Sequence, residues 1–431
     1  MSFLGQQPWW LLLLASGGVL AILSGIISLF FALGRRPERM WTKEIARVDS
    51  DDFMRPVGAL LGVSVRRGGE AVLLNNGDAW LDAMLADFAD AQRSITFACY
   101  IWEPGRMSDA IFEALTERAQ AGVQVRLLLD GFGSLRCPSD CIESLVAAGG
   151  RVAWFRPLTF GKLSRFHRRN HRRAIVIDGR VGYTGGMAVG DKWLGDASNR
   201  DEWRDTMVRA TGCIAENLQS AFAGLWAYVT GEVLTAEAFF PEDAGGDSDV
   251  RSFGVASAPG SEEHPLRLLF FLTFLAARKR LWITTPYFVP DKHTRKAVAD
   301  RARAGVDVRI LMPNKLTDAV PIRYAAHSYY QELLDAGVRI YEYQTSMLHS
   351  KHVVVDGIWS IVGSANMDVR SKELNQENVL GILDRELAAQ LEAEFLADLD
   401  RSLEIHGNQW KRRGLGVRVL ERLSVFFAEQ Y

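Results

Sequence analysis

Ala121–Asp130 reads AGVQVRLLLD, and Ala304–Pro313 reads AGVDVRILMP. Val123–Asp130 and Val306–Pro313 are apolar enough to be buried strands, and the chain around them repeats in the same order. Upstream lie helical stretches, DAIFEALTERAQAG and HTRKAVADRARAG, and before those the apolar runs SITFACYIW (Ser94–Trp102) and RLWITTPYF (Arg280–Phe288). Downstream come helices ending LVAAGG and ELLDAG, then the strands RVAWF (Arg151–Phe155) and VRIYEY (Val338–Tyr343). Strands alternating with helices of ten to fifteen residues predict βαβ units. The expected fold class is therefore α/β, with two duplicated lobes whose sheets are mostly parallel. Duplication by itself names no chemistry.

The expected lobes are residues 66–240 and 265–405. Residues 241–264, rich in Gly, Ser, Pro and acid, are expected to be an exposed linker. Residues 35–65 are a charged connector, and 406–431 form an amphipathic tail. In the tail Val419, Leu420, Leu423, Phe426 and Phe427 recur at helical spacing behind Lys411, Arg412 and Arg413, which suits either a helix packed on the second lobe or an interfacial anchor.

Residues 1–34 carry no charged side chain, and Trp9–Leu33 is an apolar run of about 25 residues. As a helix it would cover ~37 Å, enough for a hydrocarbon core of ~30 Å. A cleaved signal peptide would have a shorter apolar run behind a basic start, so an N-terminal transmembrane helix is expected. Arg35, Arg36 and Arg39 follow the span and no cation precedes it, which predicts a single-pass protein of the inner (cytoplasmic) membrane with both lobes in the cytoplasm.

Overall composition, 48% hydrophobic and 24% charged, excludes a disordered or wholly membrane-embedded chain. Fifty basic against 52 acidic residues leave a net charge of -2, so no global bias points to a polyanionic partner. Cys99, Cys137, Cys141 and Cys213 are too few for a disulfide framework and lack a second pair for zinc, so they read as ordinary thiols.

Each lobe ends in the same pattern. The second copy is His349-Ser350-Lys351 continuing to Asp356, followed by Gly363-Ser364-Ala365-Asn366; the first is His171-Arg172-Arg173 continuing to Asp178, followed by Gly185-Gly186-Met187-Ala188. At period two, His349 and Lys351 share a face, as do His171 and Arg173. A cation beside an imidazole suits an anionic phosphate, which the cation neutralises while the imidazole attacks or donates a proton. Two such pairs in a duplicated fold can meet at one phosphate across the lobe interface. Seven basic residues from Arg156 to Arg173 (with Lys162, Arg165, Arg168, Arg169 and Arg172) read as a basic loop that recruits anionic lipid, with a merely solvated loop or a nucleic-acid contact as the alternatives. His167, His327 and His352 read as non-catalytic.

These motifs resemble the phospholipase D superfamily, whose signature, H-x-K-x4-D followed by a Gly- and Asn-containing segment, occurs once per lobe. ITTPYFVPD (Ile283–Asp291), GSANMDVRSKELNQE (Gly363–Glu377), NHRRAIVIDGRVGYTGG (Asn170–Gly186) and EWRDT (Glu202–Thr206) resemble the bacterial cardiolipin synthase branch. The resemblance implies two phospholipase D-like lobes with the active site between them, no metal or other cofactor, and two-step phosphatidyl transfer through a phosphohistidine. It implies one histidine as nucleophile and the other as acid/base, assigned here as His171 and His349 with the reverse order open, with Lys351 and Arg173 on the phosphate oxygens and Asp178 and Asp356 completing the catalytic motifs. Ser364 and Asn366 are expected to add hydrogen bonds, and Asp205 and Glu377 or Glu373 to hold the second nitrogen of each imidazole. The implied partners are phosphatidylglycerol, an anionic phospholipid, and the membrane; nucleic acid is not expected. This chain departs from the pattern at Arg173, where the family has Lys, and at Ala188, where it has Asn. A phospholipase D hydrolase, another phosphatidyltransferase and a degenerate lipid-binding scaffold stay open as alternatives.

Overall fold

The computed structural model describes residues 40–158, 167–242, 246–258 and 264–427. The expected transmembrane span at 1–34 lies outside them. Among the described residues no helix is long and apolar enough to cross a membrane.

Helix α1 (Asp51–Leu61) and the short strand β1 (Arg66–Arg67) precede the first lobe. That lobe runs β2 (Ala71–Asn75), α2 (Asn76–Asp90), β3 (Ser94–Cys99), α3 (Arg106–Gln120), β4 (Gln124–Asp130), α4 (Ser139–Ala147), β5 (Arg151–Phe155), β6 (Ala174–Ile177), β7 (Val181–Gly185), β8 (Thr206–Thr211) and α5 (Gly212–Thr230). The second runs β9 (Arg251–Ser257), α6 (Pro265–Ala276), β10 (Arg280–Thr284), α7 (Lys292–Arg303), β11 (Asp307–Pro313), α8 (Val320–Asp335), β12 (Arg339–Tyr343), β13 (His352–Val355), β14 (Trp359–Gly363), α9 (Val369–Glu373), β15 (Glu377–Leu383), α10 (Arg385–Asp400) and β16 (Ser402–Ile405). Helices α11 (Gly407–Trp410) and α12 (Leu415–Phe427) end the described chain.

The repeat that opens the sequence makes the same joint twice. After α3 the chain turns at Gly122 (φ 92°), and after α7 at Gly305 (φ 86°), a left-handed conformation that glycine adopts without a Cβ clash. Val123 N–H then donates to Arg118 O and Val306 N–H to Arg301 O, closing the helix end before the strand begins.

The strand order is β2-β8-β7-β6-β3-β4-β5 in the first sheet and β1-β9-β15-β14-β13-β10-β11-β12-β16 in the second. The second contains an image of the first, with one extra strand at each edge. Only β3–β4–β5 and β10–β11–β12 are parallel; every other pairing is antiparallel. The expectation of mostly parallel sheets is thus corrected to mixed sheets. Helical crossovers force parallel pairing only where they occur, and the motif strands β6–β7 and β13–β14 are joined by tight hairpins.

The expected linker is corrected too. Arg251–Ser257 inside it is a strand paired with β15, at the position β2 holds in the first lobe. Its polar sequence, RSFGVAS, hid it, although Ser252 and Ser257 are buried. Between the lobes, Val176, Val208, Ile214 and Leu218 share one apolar layer with Val354, Val362, Leu380, Leu387 and Leu391. Each such side chain contributes about 1.5–3 kcal/mol by leaving water. This layer fixes the two motif hairpins relative to one another.

Candidate active site

The two histidine segments enter the lobe interface as matched backbone bridges. His171 N–H donates to Gln376 O (2.8 Å), and Gln376 N–H to Arg169 O (2.8 Å). His349 N–H donates to Arg204 O (2.7 Å), and Arg204 N–H to Met347 O (2.9 Å). Each histidine is thereby stitched to the residue just before a carboxylate of the opposite lobe.

Those carboxylates hold the imidazoles. His171 Nδ1 lies 2.9 Å from Glu377, and His349 Nδ1 lies 2.7 Å from Asp205 Oδ2. With Nδ1–H donated to a carboxyl group, each Nε2 is left to the reacting centre. Asp205 is satisfied on all sides: Trp193 Nε1–H donates to Oδ2 (3.0 Å) and Thr206 N–H to Oδ1 (2.8 Å). Ser364 Oγ–H donates to Glu377 Oε2.

The two pairs differ electrically. Burial opposes ionisation of Asp205, yet His349 and Lys351 hold its carboxyl below the ordinary range. Burial instead pushes Glu377 up to about 8, and burial together with the Arg173 and Lys351 charges pushes His171 well below its ordinary value. The Glu377–His171 contact has ion-pair geometry, but both shifts favour the uncharged pair at neutral pH. His349 is lowered by burial and Lys351, while Asp205 pulls in the opposite direction.

Lys351 Nζ lies 3.1 Å from both ring nitrogens of His349, and burial lowers it to about 7. Arg173 is 2% exposed; Nη1–H donates to His171 O (2.7 Å), Nε–H to Met187 O (3.3 Å), and buried Nη2 has no hydrogen-bond partner. Asn366 Oδ1 is likewise buried without a partner. Ala188, where the family pattern has Asn, is 1% exposed and sits in the first lobe's apolar core.

Several expected roles change. Asp178 and Asp356 are not in the reacting centre. Asp178 accepts the backbone N–H groups of Gln92 (2.8 Å), Arg93 (2.7 Å) and Ser94 (2.8 Å), and Asp356 those of Arg278 (3.0 Å), Lys279 (2.7 Å) and Arg280 (2.9 Å). Each sits at a hairpin turn with positive φ (52° and 54°) and ties down the entry to its lobe's first parallel strand. Four strand residues, about 13 Å, separate such a turn from the histidine end. Ser364 is spent on Glu377 and Asn378 O, so it positions a carboxyl group. Glu377, not Glu373, meets His171.

At its described end, from Arg169 to Arg173, the basic run is buried and not an open loop. Arg169 is buried on Asp130 (3.1 Å), and Arg172 is buried with bonds to Ala221 O, Ser257 O and Gln376 Oε1. Lys162 and Arg165 lie outside the described residues.

Sequence reasoning missed the aromatic walls. Tyr100 stands edge-on to His171 (5.2 Å between centroids), and Trp193 and Trp203 flank His349 at 5.8 and 5.3 Å. Trp203 adjoins Arg204 and Asp205 within EWRDT, so that motif carried a signal for it. Tyr100 and Trp193 had none.

A duplicated mixed α/β fold with one histidine–carboxyl pair crossing the interface from each lobe defines the class: a two-lobed protein of the phospholipase D superfamily. The family described as "Cardiolipin synthase, PLD-like domain" matches residues 84–226 and 273–399, and the chain belongs to that family. It is 38% identical to cardiolipin synthase 2 of Bacillus cereus over 354 residues, covering 82% of this chain and 69% of the relative. It is 33% identical to a cardiolipin synthase of a Geobacillus species over 440 residues, 96% of this chain and 87% of the relative. Among solved structures, phosphatidylserine synthase of Haemophilus influenzae superposes with a TM-score of 0.69 at 15% identity, over 88% of this chain and 99% of that one, which establishes the shared fold.

Proposed function

We propose that this chain is a cardiolipin synthase-type phosphatidyltransferase, which moves a phosphatidyl group from one phosphatidylglycerol to another and releases glycerol. The observation that carries the reading is the crossed pairing of His171 with Glu377 and His349 with Asp205, in a chain of this family.

The difference between the pairs supports the roles. A neutral His171 keeps the Nε2 lone pair, which attacks phosphorus as the bond to the glycerol oxygen breaks. An ionised Asp205 stabilises the imidazolium form of His349, which gives its proton to the departing alkoxide. In the second step His349 takes the proton of the acceptor's hydroxyl, that oxygen attacks phosphorus, and the phosphorus–nitrogen bond to His171 breaks. Lys351 and the unpartnered Nη2 of Arg173 neutralise charge on the nonbridging oxygens. Asn366 offers a further polar contact.

The membrane assignment belongs to the same proposal. An uncharged run of about 25 residues followed by three arginines supports an N-terminal anchor and cytoplasmic lobes. A reporter fused after residue 431 is expected to behave as cytoplasmic, and a periplasmic signal would reverse that orientation.

The catalytic reading is tested with purified full-length chain and phosphatidylglycerol in detergent micelles. Cardiolipin with one glycerol released per turnover is expected. Phosphatidic acid in its place would make the chain a hydrolase, and lipid binding with no turnover would make it a scaffold.

A further inference from the structure

Helix α12 buries two polar side chains and leaves large apolar ones open. Glu421 and Ser424 are buried at 2% and 7% exposure, whereas Leu415, Val419, Leu420 and Leu423 are exposed at 78%, 56%, 45% and 51%. The covered side is held by charge: Arg413 donates to Glu421 Oε2 (2.7 Å), whose other oxygen faces His327 Nδ1 at 3.8 Å. At 100° per residue the four apolar side chains span an arc of about 140°, facing away from Glu421. A helix evolved only to pack on the lobe would turn that arc inward.

The segment before and within α12 is seated on α8. Lys411 pairs with Asp335 at the end of α8, Trp410 packs on Tyr330 and His327, and Glu421 faces His327 ten residues later. These contacts seat the segment from Trp410 to Glu421 on α8 between His327 and Asp335.

Charge selects the occupant. Between Lys411 and Phe427 stand five basic residues and one acid, Glu421, which is buried and paired. Arg412, Arg418 and Arg422 are exposed, and among the described residues none of them forms an ion pair. A second copy docked through this face would bring like charges together. An anionic bilayer satisfies both halves of the surface, with leucines in the acyl boundary and arginines among the headgroups. We propose that α12 is an interfacial helix that rests on an anionic lipid surface through Leu415, Val419, Leu420 and Leu423.

The test uses the full chain with the half-exposed Cys137 and Cys141 replaced by Ser and a fluorophore on Leu423→Cys. A matching label on Leu396→Cys, 45% exposed on α10, serves as control. Vesicles contain equal parts phosphatidylcholine and phosphatidylglycerol with doxyl-labelled phosphatidylcholine as quencher. Label 423 is expected to be quenched several-fold more strongly than label 396. Each arginine near an anionic surface contributes about fivefold in partitioning, so reversing Arg412, Arg418 and Arg422 to Glu should abolish the difference. Equal quenching at 423 and 396 would overturn the proposal. So would a label at 423 shielded from both lipid quencher and iodide, with the unlabelled Leu423→Cys chain forming disulfides between copies. The readout is lipid proximity and not turnover, so failure here leaves the transferase reading standing, and absence of cardiolipin formation leaves this one standing.

Discussion

His349 is oriented by Asp205, a carboxylate 144 residues earlier in the chain and on the opposite lobe, at 2.7 Å. The mirror contact, His171 to Glu377, spans 206 residues. Neither lobe therefore contains a complete histidine–carboxyl pair, and each pair is assembled only when the apolar layer between the sheets closes.

The unequal charge on the two carboxyl groups gives the first prediction. Asp205 is ionised, and Asp205→Asn presents an N–H to Nδ1 and imposes the wrong tautomer on His349. kcat is expected to fall by about 10³–10⁴-fold, as when the buried Asp of a Ser-His-Asp triad is replaced by Asn. Glu377 is already favoured uncharged at neutral pH, so Glu377→Gln is expected to lose far less. Steady-state kinetics of the two variants, side by side, check the ordering.

A second prediction concerns pH. Burial lowers Lys351 to about 7. Its ammonium is present below that pH and is lost as pH rises through it, so kcat/KM, which reports free-enzyme ionisations, should decline on the alkaline side of about 7. Lys351→Arg keeps its charge throughout. It should remove that alkaline limb while lowering the maximum, because a planar fork replaces a compact ammonium. A pH profile in which both proteins decline together would assign the limb to another group.

A third prediction separates scaffold from chemistry. Asp178→Ala and Asp356→Ala each strip three backbone N–H groups of a charged acceptor, a loss of about 2–4 kcal/mol of stability. Denaturant midpoints should fall in both variants, while kcat per folded molecule stays near that of the parent chain.

Arg173 gives the fourth. Its guanidinium bridges His171 O and Met187 O and still leaves Nη2 over. One ammonium in Arg173→Lys cannot replace all three, and a buried carbonyl left without a donor costs about 1–3 kcal/mol. The variant is expected to be less stable in denaturant titration and slower in lipid turnover, although it restores the family residue.

The duplication, the two histidines and the two cations were legible because each occurs twice at matching places in a local pattern. Sheet direction was less legible, since the Asp178-Gly179 and Asp356-Gly357 turns were read only as motif ends. β9 was missed because only Phe253 and Val255 mark its apolar face, with Arg251 and Ser257 in the same register at its ends, while the burial that makes it a strand comes from β15, 120 or more residues away. Which carboxyl group meets which histidine was illegible for the same reason. The choice is made by two bridges between lobes, and no local spacing encodes it.

The central claim is that His171 and His349 act as one unit on a single phosphate. It is tested most directly by cardiolipin formation from labelled phosphatidylglycerol with His171→Ala, His349→Ala and the double variant. Nucleophile and acid/base that share one reaction give non-additive losses. Each single variant is expected to lose several orders of magnitude in turnover, and the double variant to be little worse than either. Near-normal turnover in His171→Ala, with turnover abolished in His349→Ala, would contradict the account.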